Sequence, residues 1–104
     1  MLLSIAHEPT MLVKTMSEAE ILEQILSFVV ANFLYMRRNK DLKEDDSLLR
    51  NGVITSLGVM ELVDWVEQTF GVQVDPSEIT EQNFDTARSI ARFVKKKSAA
   101  LSSA

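Results

Sequence analysis

The chain has 104 residues, 46% of them hydrophobic and 25% charged, which suits one soluble globular domain and leaves no room for a second of ordinary size. It has no cysteine and a single histidine, His7, in an irregular stretch close to Pro9. Disulfide scaffolds, thiolate zinc sites, cysteine nucleophiles, Ser-His-Asp triads and multi-histidine metal sites are thereby excluded, and no metal is expected. The net charge of −4 is unevenly spread. Residues 1–40 balance, Asp41 to Asp85 holds eleven carboxylates against Lys43 and Arg50, and residues 86–104 carry Arg88, Arg92, Lys95, Lys96 and Lys97 with no acid. An acidic middle favours basic protein partners and disfavours nucleic acid.

The first sixteen residues lack sustained periodicity, contain Met11 and Met16 as alternative starts to Met1, and read as a flexible arm. Met1 to Ala6 is apolar, yet it has no basic flank and no small-residue cleavage site follows, so a cytoplasmic location is the expectation. Ser17 with Glu20 forms a capping box. Ile21, Ile25, Val29 and Phe33 then recur every fourth residue, predicting an amphipathic helix from about residue 18 to 36. The apolar run Phe28 to Met36, broken by Asn32, is far shorter than the roughly 18 residues of a membrane span, and none is expected.

Residues 37–49 are polar and charged and read as a long loop whose Leu48 and Leu49 return to the core, before Asn51-Gly52 turns the chain. Thr55 or Ser56 can cap the next helix, whose inward stripe is Val59, Leu62, Val63, Val66 and Phe70 and whose stop is Gly71. Trp65, on the flank of that stripe, reads as a partial core plug. Val72 to Val74 alternates like a strand but runs into Asp75-Pro76, which favours a loop or a single turn over residues 76–79. A short extra turn is expected near Gln82. Asp85 or Thr86 caps a last helix with Ala87, Ile90, Ala91 and Val94 inward and Arg88, Arg92 and Lys95 outward; Lys95 to Lys97 near its end complement the helix dipole. The predicted fold is all-α, a small bundle of three to four helices with a long loop between the first and second, over residues 17–97, followed by a disordered tail, 98–104.

The chemistry points to Ser56. It stands at a helix start after a loop, where unpaired amides and the positive dipole end stabilise an attached phosphate. On local sequence alone an ordinary N-cap remains the simpler reading. The wider pattern decides more: Asp46-Ser47-Leu48-Leu49, Asn51-Gly52, Ile54, Ser56-Leu57-Gly58-Val59-Met60-Glu61-Leu62, Glu67, Phe70-Gly71-Val72 and Asn83-Phe84-Asp85 closely resemble, in order and spacing, the acyl carrier protein family, over roughly Ser17 to Lys97.

The resemblance implies that Ser56 receives 4'-phosphopantetheine from coenzyme A, and that the arm's thiol carries an acyl or aminoacyl thioester in fatty acid or secondary metabolite biosynthesis. It implies a stand-alone monomeric carrier, not an enzyme, served by a phosphopantetheinyl transferase, an adenylate-forming acyl or aminoacyl ligase and acyl-transferring or synthase enzymes. The alternative is an unmodified carrier-like interaction module. As in the family, Leu57, Met60, Glu61, Asp64 and Glu67 would form the partner-binding face. Thr55 departs from the family, which usually has Asp before the modified serine and uses it to engage the transferase. Gly58 is expected to loosen the first helical turn at a cost of up to about 1 kcal/mol relative to alanine.

Overall fold

The computed structural model describes residues 15–34 and 41–103, with side chains through Ala99. His7, the expected arm before Thr15 and the last two residues of the expected first helix lie outside the described residues. Among the described residues four α-helices follow one another, α1 (Glu18–Phe33), α2 (Ser56–Phe70), α3 (Glu81–Phe84) and α4 (Ala87–Ser103), with a single turn of 3-10 helix at Pro76–Glu78 between α2 and α3. The all-α, four-helix outcome agrees with the sequence reading, as do the turn after Asp75 and the short helix at Gln82.

Helix α1 starts at the expected capping box: the Ser17 hydroxyl accepts from the Glu20 amide at 3.1 Å and the Glu20 carboxylate accepts from the Ser17 amide at 2.8 Å. Two orphan donors of the first turn are thus satisfied by adjacent sequence. Ile21, Ile25 and Val29 are fully buried. The helix ends at Phe33, earlier than expected, because Leu34 leaves helical geometry (φ −116°, ψ 1°) and buries its side chain. Before the helix, the Lys95 ammonium donates to the Met16 carbonyl at 2.6 Å, and Met16 packs against the core, so the end of the expected arm is tied to α4.

The long connection is irregular but anchored. Leu48 is fully buried, its amide donates to the Asp85 carbonyl at 2.7 Å, and its own carbonyl accepts from the amides of Val53 and Ile54 at 2.9 and 3.1 Å. Leu49, expected in the core beside it, is only partly buried. The Ser47 hydroxyl donates to the Asp85 carboxylate at 2.7 Å. The Arg88 guanidinium reaches Glu44 at 3.0 Å and Asp45 at 2.8 Å, and the hydrogen bond to Asp45 foremost raises its pKa further. Gly52 takes the left-handed conformation, φ +66°, that an Asn-Gly turn requires.

Helix α2 buries Val59, Leu62, Val63, Val66 and Phe70, the stripe expected, and stops at left-handed Gly71, φ 67°. Trp65 stacks on Phe28 of α1, centroids 4.2 Å apart and planes 14° off parallel, and meets the edge of Phe70 at 5.5 Å. It is half-buried, a plug at the α1–α2 seam. After α2, Val72 is buried, and the Asp75 carboxylate caps the 3-10 turn while Glu78 bonds back to the Asp75 amide. That amide and the Lys97 ammonium at 3.0 Å hold the Glu78 carboxyl below its ordinary pKa.

Helix α4 packs along α1. Thr86, not Asp85, caps it: the Thr86 hydroxyl accepts from the Ser89 amide at 3.0 Å, and the Ser89 hydroxyl accepts from the Thr86 amide at 3.2 Å. Asp85 is engaged instead with the loop. Ala87, Ile90, Ala91 and Val94 are fully buried and Phe93 nearly so. The expected disordered tail from residue 98 is corrected: α4 continues to Ser103, with Ser98 2% exposed and its hydroxyl donating to the Lys95 carbonyl at 2.9 Å. A serine that returns its hydroxyl to the preceding turn need not break a helix, and the alanines and leucine that follow favour one.

Gly58 also has a different meaning from the one expected. It is buried, and a Cβ there would lie 2.6 Å from Cγ1 of Ile54 and 3.1 Å from Cε1 of Phe33. The missing side chain lets the loop before α2 and the end of α1 close onto the first turn of α2. Gly58→Ala therefore gains helix propensity of about 1 kcal/mol but incurs overpacking of about 1–3 kcal/mol, a net loss on the order of 1 kcal/mol. Thermal unfolding followed by circular dichroism should give a Tm lower by about 4–8 °C; an unchanged or higher Tm would mean that Ile54 yields freely.

Candidate functional site

The N-terminus of α2 divides two tasks between adjacent hydroxyls. Thr55 is the cap, its Oγ1 accepting from the Gly58 amide at 3.2 Å in an extended backbone conformation (φ −96°, ψ 176°). Ser56 is the first helical residue, exposed, and among the described residues nothing bonds its hydroxyl. The choice of cap left open by the sequence thus falls on Thr55 and leaves Ser56 free to react. The first turn of α2 holds no acidic residue, so its positive end is not neutralised from within and favours an anion bonded to Ser56.

Beside Ser56 lies a cleft of about 280 Å³, lined by Leu49, Val59, Met60, Ile79 and Phe84 among others. One wall is α2, one is the end of the long loop, and the third comes from the segment after Gly71. Ile79 and Thr80 on that third wall escaped the sequence reading. Ile79 follows Pro76 in a segment read only as a turn, and nothing local says which helix it faces.

Four of the five expected partner-face residues point outward together. Leu57 is 80% exposed and Met60 53%, the large hydrophobic side chains left exposed among the described residues. Glu61 and Asp64 are exposed alongside them, Asp64 accepting from the Gln68 amide group at 3.2 Å along the helix. Glu67 differs. It is half-buried, and its Oε2 accepts from the backbone amide of Val74 at 2.9 Å, so the structure places it against its own loop and outside the open face. An apolar pair flanked by two exposed carboxylates suits brief docking, because charge complementarity speeds encounter while a small apolar centre limits affinity.

Comparison with known proteins places this geometry in a family. The family model described as "Phosphopantetheine attachment site" matches residues 24–94, which spans α1 to the core turns of α4. The chain is 39% identical over 57 residues to the D-alanyl carrier protein of Abiotrophia defectiva, covering 55% of this chain and 72% of that one. It is 36% identical over 62 residues to the D-alanyl carrier protein of Streptococcus uberis, covering 60% and 77%, and 32% identical over 62 residues to that of Streptococcus equi subsp. zooepidemicus. No enzyme activity belongs to this kind of protein, whose cofactor is a covalently attached 4'-phosphopantetheine and whose partners are the transferase that installs it and the ligases or synthases that use it. A free serine at a helix start, an apolar cleft beside it and an exposed apolar pair are the parts such a protein needs, and the chain belongs to the phosphopantetheine-attachment family as a non-catalytic carrier protein.

Proposed function

We propose that Ser56 bears the phosphopantetheine and that the chain is an aminoacyl carrier, with D-alanine as its load. The observation that carries the attachment site is the exposed Ser56 hydroxyl at the first position of α2, without a bond among the described residues while Thr55 takes the cap. The load is supported by the relatives, which are D-alanyl carrier proteins. Attachment is a phosphoryl transfer: the Ser56 oxygen attacks the coenzyme A phosphorus nearer to pantetheine, and the bond from that phosphorus to the bridging oxygen breaks. Adenosine 3',5'-bisphosphate leaves, and the hydroxyl proton passes to a base on the transferase. When bound, the arm supplies a thiol that this cysteine-free chain lacks, and that thiol holds the load as a thioester.

The chain's own residues present and orient. The α2 amides and dipole stabilise the phosphodiester. Leu57 and Met60 offer the apolar contact, while Glu61 and Asp64 attract basic surfaces of a phosphopantetheinyl transferase, of an adenylate-forming ligase that loads the amino acid, and of the acyl-transferring enzyme that removes it. Both coenzyme A and the ATP that such a ligase consumes are cytoplasmic, which supports a cytoplasmic site of loading for a monomeric carrier.

Incubation with coenzyme A and a broad-specificity phosphopantetheinyl transferase should add one phosphopantetheine by intact mass, and Ser56→Ala should abolish the addition. Uptake that persists in this variant, or none in the wild type, would favour another site or an unmodified interaction module. Loading of the modified chain by a D-alanine ligase should weaken with salt, since exposed charges are screened over about 10 Å at 0.1 M ionic strength. At low salt Glu61→Lys should raise the ligase's KM for the carrier about three- to fivefold, the scale of exposed charge pairs, with helicity unchanged; a salt-insensitive KM and a neutral variant would remove the electrostatic docking. Thr55→Asp restores the family's usual acid at a position where either residue caps the helix, so stability should shift by only a few tenths of a kcal/mol. The initial rate of phosphopantetheine transfer should rise. An equal or lower rate would mean that Thr55 already suits its transferase, or that the added charge repels the incoming phosphate.

A further inference from the structure

The carboxylate of Glu67 leaves the row of acids on α2. Its backbone carbonyl accepts from the Gly71 amide at 3.0 Å and closes the helix, while its Oε2 reaches on to the Val74 amide, seven residues along. Residues 71–75 have no regular structure, so no ladder or helix orders the Val74 amide, and the Glu67 side-chain oxygen is the acceptor that satisfies it. The same segment is fastened again farther on: Glu78 bonds the Asp75 amide at 2.9 Å and pairs with Lys97 of α4 at 3.0 Å, and its carbonyl accepts from the Asn83 side-chain amide at 2.9 Å. Directly after these fastenings come Ile79 and Thr80, the third wall of the cleft beside Ser56. The wall therefore hangs between a bond to the end of α2 and a bond to α4.

We propose that Glu67 is a positioning residue for the Ser56 cleft and not a docking carboxylate: by holding the Val74 amide it sets where Ile79 and Thr80 stand relative to the serine. The inference rests on Ser56 being the attachment point. A docking acid acts through its charge, whereas a positioning acceptor acts through its oxygen, and substitution separates the two. Glu67→Gln keeps an acceptor oxygen and removes the charge. Glu67→Ala removes both. Glu61→Gln removes charge from the open face alone.

The experiment uses the full chain with coenzyme A and a phosphopantetheinyl transferase, at a temperature where circular dichroism finds every variant folded. It records kcat and KM for the carrier together with hydrogen exchange at the Val74 amide by NMR. Glu67→Gln should leave kcat and KM within about twofold of wild type and keep Val74 protected. Glu67→Ala should speed Val74 exchange by about tenfold or more and lower kcat with little change in KM, while Glu61→Gln should raise KM and leave Val74 untouched. A rise in KM for Glu67→Gln that matches Glu61→Gln would overturn the proposal in favour of docking. So would Val74 exchange unaffected by Glu67→Ala, or faster exchange with kcat unaltered, which would leave Glu67 a local brace only. Failure of the wild type itself to take up phosphopantetheine is a separate result, read before any variant is compared, and it removes the attachment reading together with what is built on it.

Discussion

The backbone of Leu48 is the point on which the placement of the site depends. Its amide is bound to the carbonyl of Asp85 and its carbonyl to the amides of Val53 and Ile54, so one buried residue joins the α3–α4 corner to the strand of loop that delivers Thr55 and Ser56. A connection of this length with no regular structure would otherwise leave its amides to water and its end undetermined. The side chain contributes by full burial, and the neighbouring polar bonds, Ser47 to Asp85 and Arg88 to Glu44 and Asp45, close the same corner from the solvent side. With the loop end held there, Ile54 can lie against Gly58, and α2 begins with Ser56 and Leu57 facing outward.

That arrangement changes what the charge distribution means. The basic last segment does not stand apart from the acidic middle. Arg88 answers two of its carboxylates, Lys97 a third, and Lys95 is bound to the Met16 carbonyl. Glu67 is bound to its own loop. The acids of α2 that stay exposed, Glu61 and Asp64, are those next to the exposed Leu57 and Met60. The folded chain thus concentrates on one helix face an attraction that the sequence spreads over many residues. Such a face suits a carrier that must be recognised by several enzymes in turn, since exposed charges act mainly on the rate of encounter.

Local order explains how much of this was legible in the sequence alone. The Ser17–Glu20 box, the stripes of α1, α2 and α4, the Gly71 stop and the turn after Asp75 each depend on residues within one or two helical turns, and a periodicity of 3.6 residues exposes them directly. The position of Ser56 at the start of α2 was legible for a related reason, because a short ordered pattern around it carried the family resemblance. The outward placement of Leu57, Met60, Glu61 and Asp64 on α2 was implied by the same resemblance.

What local pattern could not decide involved partners distant along the chain or choices between neighbours of equal propensity. Thr55 and Ser56 cap comparably well, and the backbone entering α2 from the Leu48 anchor settled which of them does. Gly58 looked like a weak helix residue until Ile54 closed on it at 2.6 Å from where a Cβ would stand, with Phe33 tight behind at 3.1 Å. Glu67 was in phase with the open face, yet the loop after Gly71 curled back to offer it the Val74 amide. The segment after residue 97 looked like a tail, but α4 carried Ser98 into the interior. Propensity and periodicity register which face a residue occupies; only the packed chain, where each buried amide must find an acceptor and each close approach must exclude a side chain, decides what stands opposite it.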